Sequence, residues 1–278
     1  MNEFQDKVVL ISGSSRGVGF ALAKELVKRG AKVVINARGN KRLDQAKSAL
    51  QKIGGEVVAV CGNIGVWEDS QKMVEKTIDH YGRLDILVNN AGISMRSYFD
   101  KLSVDVCKQM VDTNLVGSIF LSRAAVKHII KAKGQIIFIS SIAGLFGIPQ
   151  ASIYSTTKGA LTNFCDSLRI EMSPLGVHTG VVYLGYIEHD PEKRILSSDG
   201  SLIPHNHPAH YSQEKAAKII LKVLQKRKKK AVITPIGKLS WIAHKISPGL
   251  VEKVILKAHT CKWKTYKRYL GLEEQDCD

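Results

Sequence analysis

Lys7-Val8-Val9-Leu10-Ile11-Ser12-Gly13-Ser14-Ser15-Arg16-Gly17-Val18-Gly19 carries most of the architectural information in this 278-residue chain. Its first five residues are an apolar run of strand length. A glycine-rich turn follows at once. Phe20, Ala21, Leu22, Ala23, Leu26 and Val27 then fall at helical spacing until Gly30 offers a stop. Strand, glycine turn, helix is the context that gives such a turn chemical meaning. Glycines let the backbone bend tightly and approach a phosphate, and a helix N-terminus presents free N–H groups and the positive end of its dipole. The spacing Gly-x-x-x-Gly-x-Gly differs from the commoner Gly-x-Gly-x-x-Gly, and in another context it would read as a surface turn. Here Gly13, Ser15, Arg16, Gly17, Val18 and Gly19 form the expected phosphate cradle.

The neighbouring segments repeat the alternation. Lys32 to Arg38 reads as a second strand, Asn40 to Ile53 as a helix, Glu56 to Val60 as a strand and Trp67 to Tyr81 as a helix. Leu84 to Val88 is a fourth strand, ending in Asn89-Asn90-Ala91-Gly92, and Val104 to Lys131 reads as one long helix with Asn114 in mid-course. Strands at Ile136 to Ser141, Gly176 to Tyr183 and Ala231 to Thr234 complete a set of about seven. Apolar strands alternating with helices specify an α/β fold, a Rossmann-type doubly wound parallel sheet in a single domain. At the end of the second strand in such a fold, an acidic residue would meet the adenosine ribose and select NAD. Ala37 and Arg38 stand there instead. Arg38 and Arg16 can grip a 2′-phosphate through guanidinium forks, against the plainer reading of two solvated arginines, so NADP(H) is the favoured cofactor.

A second constellation lies farther on. Tyr154 and Lys158 share one face of a helix, and Ser141, thirteen residues upstream of Tyr154, ends an apolar strand. An ammonium group one turn away is expected to lower the tyrosine pKa toward the range useful for acid–base work. Ser141 would sit at a strand's C-terminal end, where open α/β sheets bind ligands. A Tyr-x-x-x-Lys pair alone is more commonly a surface pair.

Together these residues resemble the short-chain dehydrogenase/reductase family. The likeness rests on the glycine motif from Ser12 to Gly19, the signature Asn89 to Gly92, and the tetrad Asn114, Ser141, Tyr154 and Lys158, and it covers roughly residues 5–190. It implies hydride transfer between an alcohol and a ketone with a nicotinamide dinucleotide. Tyr154 would be the general acid for reduction or the base for oxidation, and Lys158 would bind the nicotinamide ribose. Ser141 would hydrogen-bond the substrate oxygen, and Asn114 would position a relay water. Asn90, Ala91, Gly92, Gly185 and Ile187 are the further cofactor contacts it implies. The family often carries Asp-Val where this chain has Asn63-Ile64, an amide that still can accept from adenine. Leu184-Gly185-Tyr186-Ile187-Glu188-His189 replaces the family's Pro-Gly and later Thr, with His189 as a substitute donor or a solvated loop residue. A homodimer or tetramer is implied in the same way.

Composition sets the remaining bounds. The chain is 44% hydrophobic and 24% charged, ordinary for a globular protein. No apolar run approaches a membrane span of roughly 18 residues. Five scattered cysteines without metal spacing, and an N-terminus without a signal pattern, favour a cytoplasmic setting. The net charge of +16 is uneven, since from Tyr211 onward there are 16 basic and 6 acidic residues. Residues 1–235 read as the dinucleotide-binding and catalytic unit, and 236–278 as a basic amphipathic extension that is not an independent domain. Its Leu239, Ile242, Ile246, Leu250, Val254 and Ile255 fall at helical spacing around Pro248-Gly249, with lysines interspersed and Trp241, Trp263 and Tyr266 flanking. Packing in the core or a dimer explains the apolar faces, while peripheral contact with an anionic membrane explains the lysines and aromatics as well. No nucleic-acid motif is present. Residues 190–212 read as a polar, irregular lid. Its His205, His207 and His210 lack accompanying carboxylates or cysteines, so no metal is expected. The function expected is NADPH-dependent reduction of a hydrophobic ketone (ketoacyl, sphingoid or steroid-like). The alternatives are NADP-dependent oxidation of a secondary alcohol and a non-catalytic NADP(H) sensor.

Overall fold

The computed structural model describes residues 3–188, 190, 192–205 and 209–260. Its strands are β1 (Val8–Ile11), β2 (Lys32–Ala37), β3 (Val57–Cys61), β4 (Ile86–Asn89), β5 (Gln135–Ser141), β6 (His178–Leu184), β7 (Arg194–Leu196), β8 (Leu202–Pro204) and β9 (Lys230–Val232). Seven of them form one parallel sheet in the order β3-β2-β1-β4-β5-β6-β9. The expected doubly wound sheet is therefore present. Its strands are apolar on both faces because helices cover both. The helices are α1 (Gly17–Val27), α2 (Asn40–Gln51), α3 (Trp67–Tyr81), α4 (Val104–Val111), α5 (Gly117–Ala132), α6 (Ser152–Met172), α7 (Gln213–Gln225), α8 (Pro235–Ile246) and α9 (Pro248–Thr260). Leu22, Leu26, Leu43 and Ile220 of α1, α2 and α7 build the core on one face. Met73, Leu121, Ile129 and Leu161 of α3, α5 and α6 build it on the other.

Strand order reverses between β1 and β4, so the loops leaving these strands diverge to opposite faces. The crevice opens between them at the strands' C-terminal ends. This places the glycine loop and Asn90-Ala91-Gly92 side by side.

Two local expectations are corrected. The long helix over 104–131 is interrupted: between α4 and α5, residues Asp112–Val116 form a π turn. Asn114 causes the break by bonding the Ile93 backbone, accepting from its N–H at 2.8 Å and donating to its C=O at 3.0 Å. The segment expected as an irregular lid contains an antiparallel hairpin, β7 with β8. Gly200 takes φ +89 at its tip, where few residues other than glycine are comfortable. Asp199 accepts from the Ser201 N–H at 2.9 Å. Ile195 and Leu196 are buried, and Leu196 exchanges backbone hydrogen bonds with Ser94 and Arg96. Two short apolar pairs, Ile195-Leu196 and Leu202-Ile203, on either side of an Asp-Gly turn supply the physical reason.

Candidate active site

The crevice is a cleft of about 790 Å³. Its floor is stitched together by side chains at the strand ends. Asn36, buried at the end of β2, accepts from the Gly13 N–H at 3.2 Å and donates to the carbonyls of Val60 and Gly62 at 3.1 and 3.0 Å. Asn90 donates to the carbonyls of Ser12 and Gly13, each at 2.9 Å. The Ser12 hydroxyl accepts from the N–H groups of Asn90 and Ala91 at 3.1 and 3.0 Å. Gly13 and Gly19 allow this closeness. A Cβ on Gly13, which has φ +62, would lie 2.7 Å from the Ala91 Cα, and one on Gly19 would lie 2.4 Å from the Asn90 amide nitrogen. The loop is thus held as a side-chain-free cradle running into the N-terminus of α1. That shape fits a dinucleotide diphosphate.

Ser141 ends β5, and Tyr154 and Lys158 lie on the first two turns of α6, so all three line the cleft. The Lys158 ammonium is buried and donates to the Ile139 carbonyl at 3.0 Å. Burial, together with the nearby Lys193, lowers its pKa to about 8. The Ser140 hydroxyl donates to the Lys158 carbonyl at 2.8 Å and pins that turn of α6 to β5. Tyr154 departs from expectation. Its surroundings push the phenol above the usual tyrosine value by desolvation, and the Ser141 hydroxyl pulls it partly back. The Lys158 ammonium is turned to a backbone carbonyl and lies 5.9 Å from the centre of the tyrosine ring.

Asn114 lies close to its expected partner Lys158: its side-chain oxygen and the Lys158 ammonium nitrogen would each be 3.2 Å from a Cβ on Gly92. It is fully buried behind the cleft wall, with its amide spent on Ile93 and on the Thr157 hydroxyl at 3.2 Å. Its carbonyl accepts from the Ser118 hydroxyl at 3.1 Å. Its visible effect is to fix the turn after β4 against α6. The other expected residues line the cleft: the cradle, Arg38, Asn63, Ile64, Asn90, Ala91, Gly92, Gly185 and Ile187. The Asn63 carbonyl oxygen already accepts from the Gly65 N–H at 3.1 Å. His189, His207, Trp263 and Tyr266 lie outside the described residues. His205 lines the cleft, and His210 packs edge-on to Tyr186.

Several contributors went unread in the sequence. Asn36, Ser12 and Ser140 look like ordinary strand-end polar residues until their backbone partners are in place. Arg42 and Lys193 also line the cleft, and Arg42 pairs with Glu192 while Arg16 reaches Asp190 at 3.9 Å. For Arg42, its position one turn into a helix following the ribose-facing strand was an available signal.

Residues 7–200 match the family model for short chain dehydrogenases. The chain is 41% identical over 185 residues to 11-beta-hydroxysteroid dehydrogenase-like 4A of Arabidopsis thaliana, covering 66% of this chain and 62% of that protein. It is 38% identical over 200 residues to 11-beta-hydroxysteroid dehydrogenase 1A of the same plant, covering 71% of this chain and 57% of the relative. The match therefore spans about three fifths of these plant relatives. Among solved structures, the apo form of LigD from Sphingobium superposes with a TM-score of 0.76 at 22% identity, over 88% of this chain and 97% of that one, a likeness of fold. With its motifs, sheet order and family match in agreement, this chain belongs to the short-chain dehydrogenase/reductase family.

Proposed function

We propose that the protein is an NADP(H)-dependent oxidoreductase that reduces a hydrophobic ketone (ketoacyl, sphingoid or steroid-like) to a secondary alcohol. The observation that carries this reading is the convergence of Ser141, Tyr154 and Lys158 on one wall of the cleft that also holds the glycine cradle. The nicotinamide cofactor supplies the hydride when bound. Tyr154, a neutral phenol at neutral pH whose pKa burial raises further, donates a proton to the substrate oxygen, and Ser141 hydrogen-bonds that same oxygen. Lys158, fixed by Ile139, holds the ribose hydroxyls. Asn114 acts through Ile93 and Thr157 as a positioning residue.

NADP(H) is favoured over NAD(H) by charge. Arg16, Arg38, Lys41 and Arg42 line the cleft, and residues 36–42 include no acid to meet a free ribose hydroxyl. Ile93, Met95, Ile142, Ile148 and Ile195 supply apolar lining for the substrate, in keeping with relatives named as hydroxysteroid dehydrogenases. Oxidation of a secondary alcohol uses the same residues in reverse, but it requires Tyr154 to lose its proton first, which its burial opposes.

The test is NADPH consumption over a panel of apolar ketones with wild type and Tyr154→Phe. Turnover should fall about a hundredfold or more in the variant, with cofactor affinity nearly intact. Equal rates would overturn the assignment. Cofactor binding without turnover of any ketone or alcohol would leave the sensor reading in its place.

We assign residues 1–235 to the catalytic unit, working as a homodimer or tetramer, and 236–278 to an extension that docks on an anionic membrane surface. Among the described residues no helix is long and apolar enough to cross a membrane. Docking is supported by an apolar, lysine-bearing outer face on α8 and α9, with Leu239 64%, Ile246 79% and Leu250 59% exposed. These helices are held to the catalytic unit through His244 against Phe146 and His259 against Tyr98.

A further inference from the structure

One cation in the cleft has no part in the chemistry above. Lys193 lies between β6 and β7, half-buried in the cleft wall, and shares that wall with Arg16 and Lys158. Its position is fixed from both sides. Its N–H donates to the Asp190 carbonyl at 2.8 Å, and two residues later Ile195 is buried at the start of the docked hairpin.

The charges around it do not balance. Arg16 and Lys158 are close enough to repel it, Arg16 depressing Lys193 and Lys193 in turn depressing Lys158. The carboxylates on the same segment face elsewhere, Asp190 to Arg16 and Glu192 to Arg42. Among the described residues no carboxylate forms an ion pair with Lys193. A partly desolvated ammonium between two other cations is unfavourable unless an anion joins them. Asp190, whose carbonyl holds the Lys193 N–H, reaches Arg16 of the glycine cradle at 3.9 Å, so Lys193 lines the cleft near the part built for phosphate.

We infer that Lys193 binds the diphosphate bridge of the dinucleotide, adding a charge-assisted contact to those of the glycine cradle. The inference rests on the dinucleotide reading above, and it makes a distinct claim about which part of the cofactor is held. NADPH and NADH share the diphosphate, so Lys193 serves both. Arg38, beside the adenosine ribose, serves the 2′-phosphate and so NADPH alone.

Direct titration of protein fluorescence with NADPH and with NADH, on wild type, Lys193→Met, Lys193→Arg and Arg38→Ala, separates these roles without relying on turnover. Lys193→Met should weaken both cofactors by a similar factor, about ten- to a hundredfold for a charge-assisted contact. Lys193→Arg should recover most of that loss. Inorganic diphosphate should compete with NADH in wild type and much less in Lys193→Met. Unchanged affinities in Lys193→Met would overturn the inference while leaving the dinucleotide reading standing. Loss of NADPH affinity alone would move Lys193 to the 2′-phosphate and overturn it equally. Wild type that bound neither cofactor would overturn both.

Discussion

Lys158 shows how one residue is shaped by its setting. In sequence it is an ammonium one helical turn from a tyrosine, and the expectation was that it would draw the phenol's pKa down. In the fold it is buried against the Ile139 carbonyl with Lys193 nearby, and its own pKa falls to about 8. An unfolded lysine titrates near about 10.4. Between these values the unfolded chain holds a proton that the folded chain has released, so folding is favoured increasingly as pH rises through this window. The slope for one such group approaches about 1.4 kcal/mol per pH unit. Urea unfolding of wild type and Lys158→Met at a series of pH values from neutral to about 10 isolates this contribution. Wild type should gain on the variant as pH climbs above about 8. Parallel profiles would show that Lys158 stays charged in the folded free protein.

At the scale of elements, the cleft exists because four strand ends are tied together. Asn36 of β2 bridges the glycine loop after β1 and the end of β3, and Asn90 with Ser12 bridges the ends of β1 and β4. Asn36→Ala would leave the buried Val60 carbonyl, and the half-buried Gly62 carbonyl and Gly13 N–H, without those partners. Each such group costs about 1–3 kcal/mol. A fall in unfolding free energy of a few kcal/mol is expected, along with weaker binding of NADPH and NADH alike because the cradle loosens. A stability loss with unchanged cofactor affinity would show that Asn36 supports the sheet alone. The hairpin β7–β8 is the other element whose role emerges only in place. Its buried Leu196 bonds Ser94 and Arg96, so the segment after β6 is anchored to the segment after β4 across the cleft.

For the whole molecule the central question is where the basic charge goes. The outer faces of α8 and α9 combine exposed Leu, Ile and Val with Lys238, Lys245, Lys253 and Lys257. Pairing this face with the same face of a second copy would set its lysines against like charges, whereas an anionic bilayer satisfies both the charge and the apolar surface. Each lysine near such a surface contributes about 1 kcal/mol. Co-sedimentation should show binding to vesicles containing phosphatidylserine, weakening as salt rises, and little binding to neutral vesicles. Ile246→Glu with Leu250→Glu should abolish the residual binding at high salt. Binding to neither vesicle type would leave α8 and α9 as a structural cap.

The sequence by itself determined the doubly wound sheet and the family. Both rest on short-range signals: apolar runs of strand length, glycines at a strand-to-helix turn, and Tyr154 and Lys158 one helical turn apart. It also pointed to the cleft-lining glycine cradle, Ser141, Tyr154 and Lys158, because strand C-termini in such a sheet converge by topology, but not to Arg42 or Lys193. The electrostatics of Tyr154 depended on burial and Ser141, and those of Lys158 on burial and on Lys193, thirty-five residues beyond it in the chain and brought near only by the segment after β6. The tertiary structure likewise set Asn114 behind the wall, since its partners Ile93 and Thr157 come from two other elements. Local pattern fixes periodicity and turn chemistry; desolvation and hydrogen-bond partners are properties of what the fold brings together across the chain.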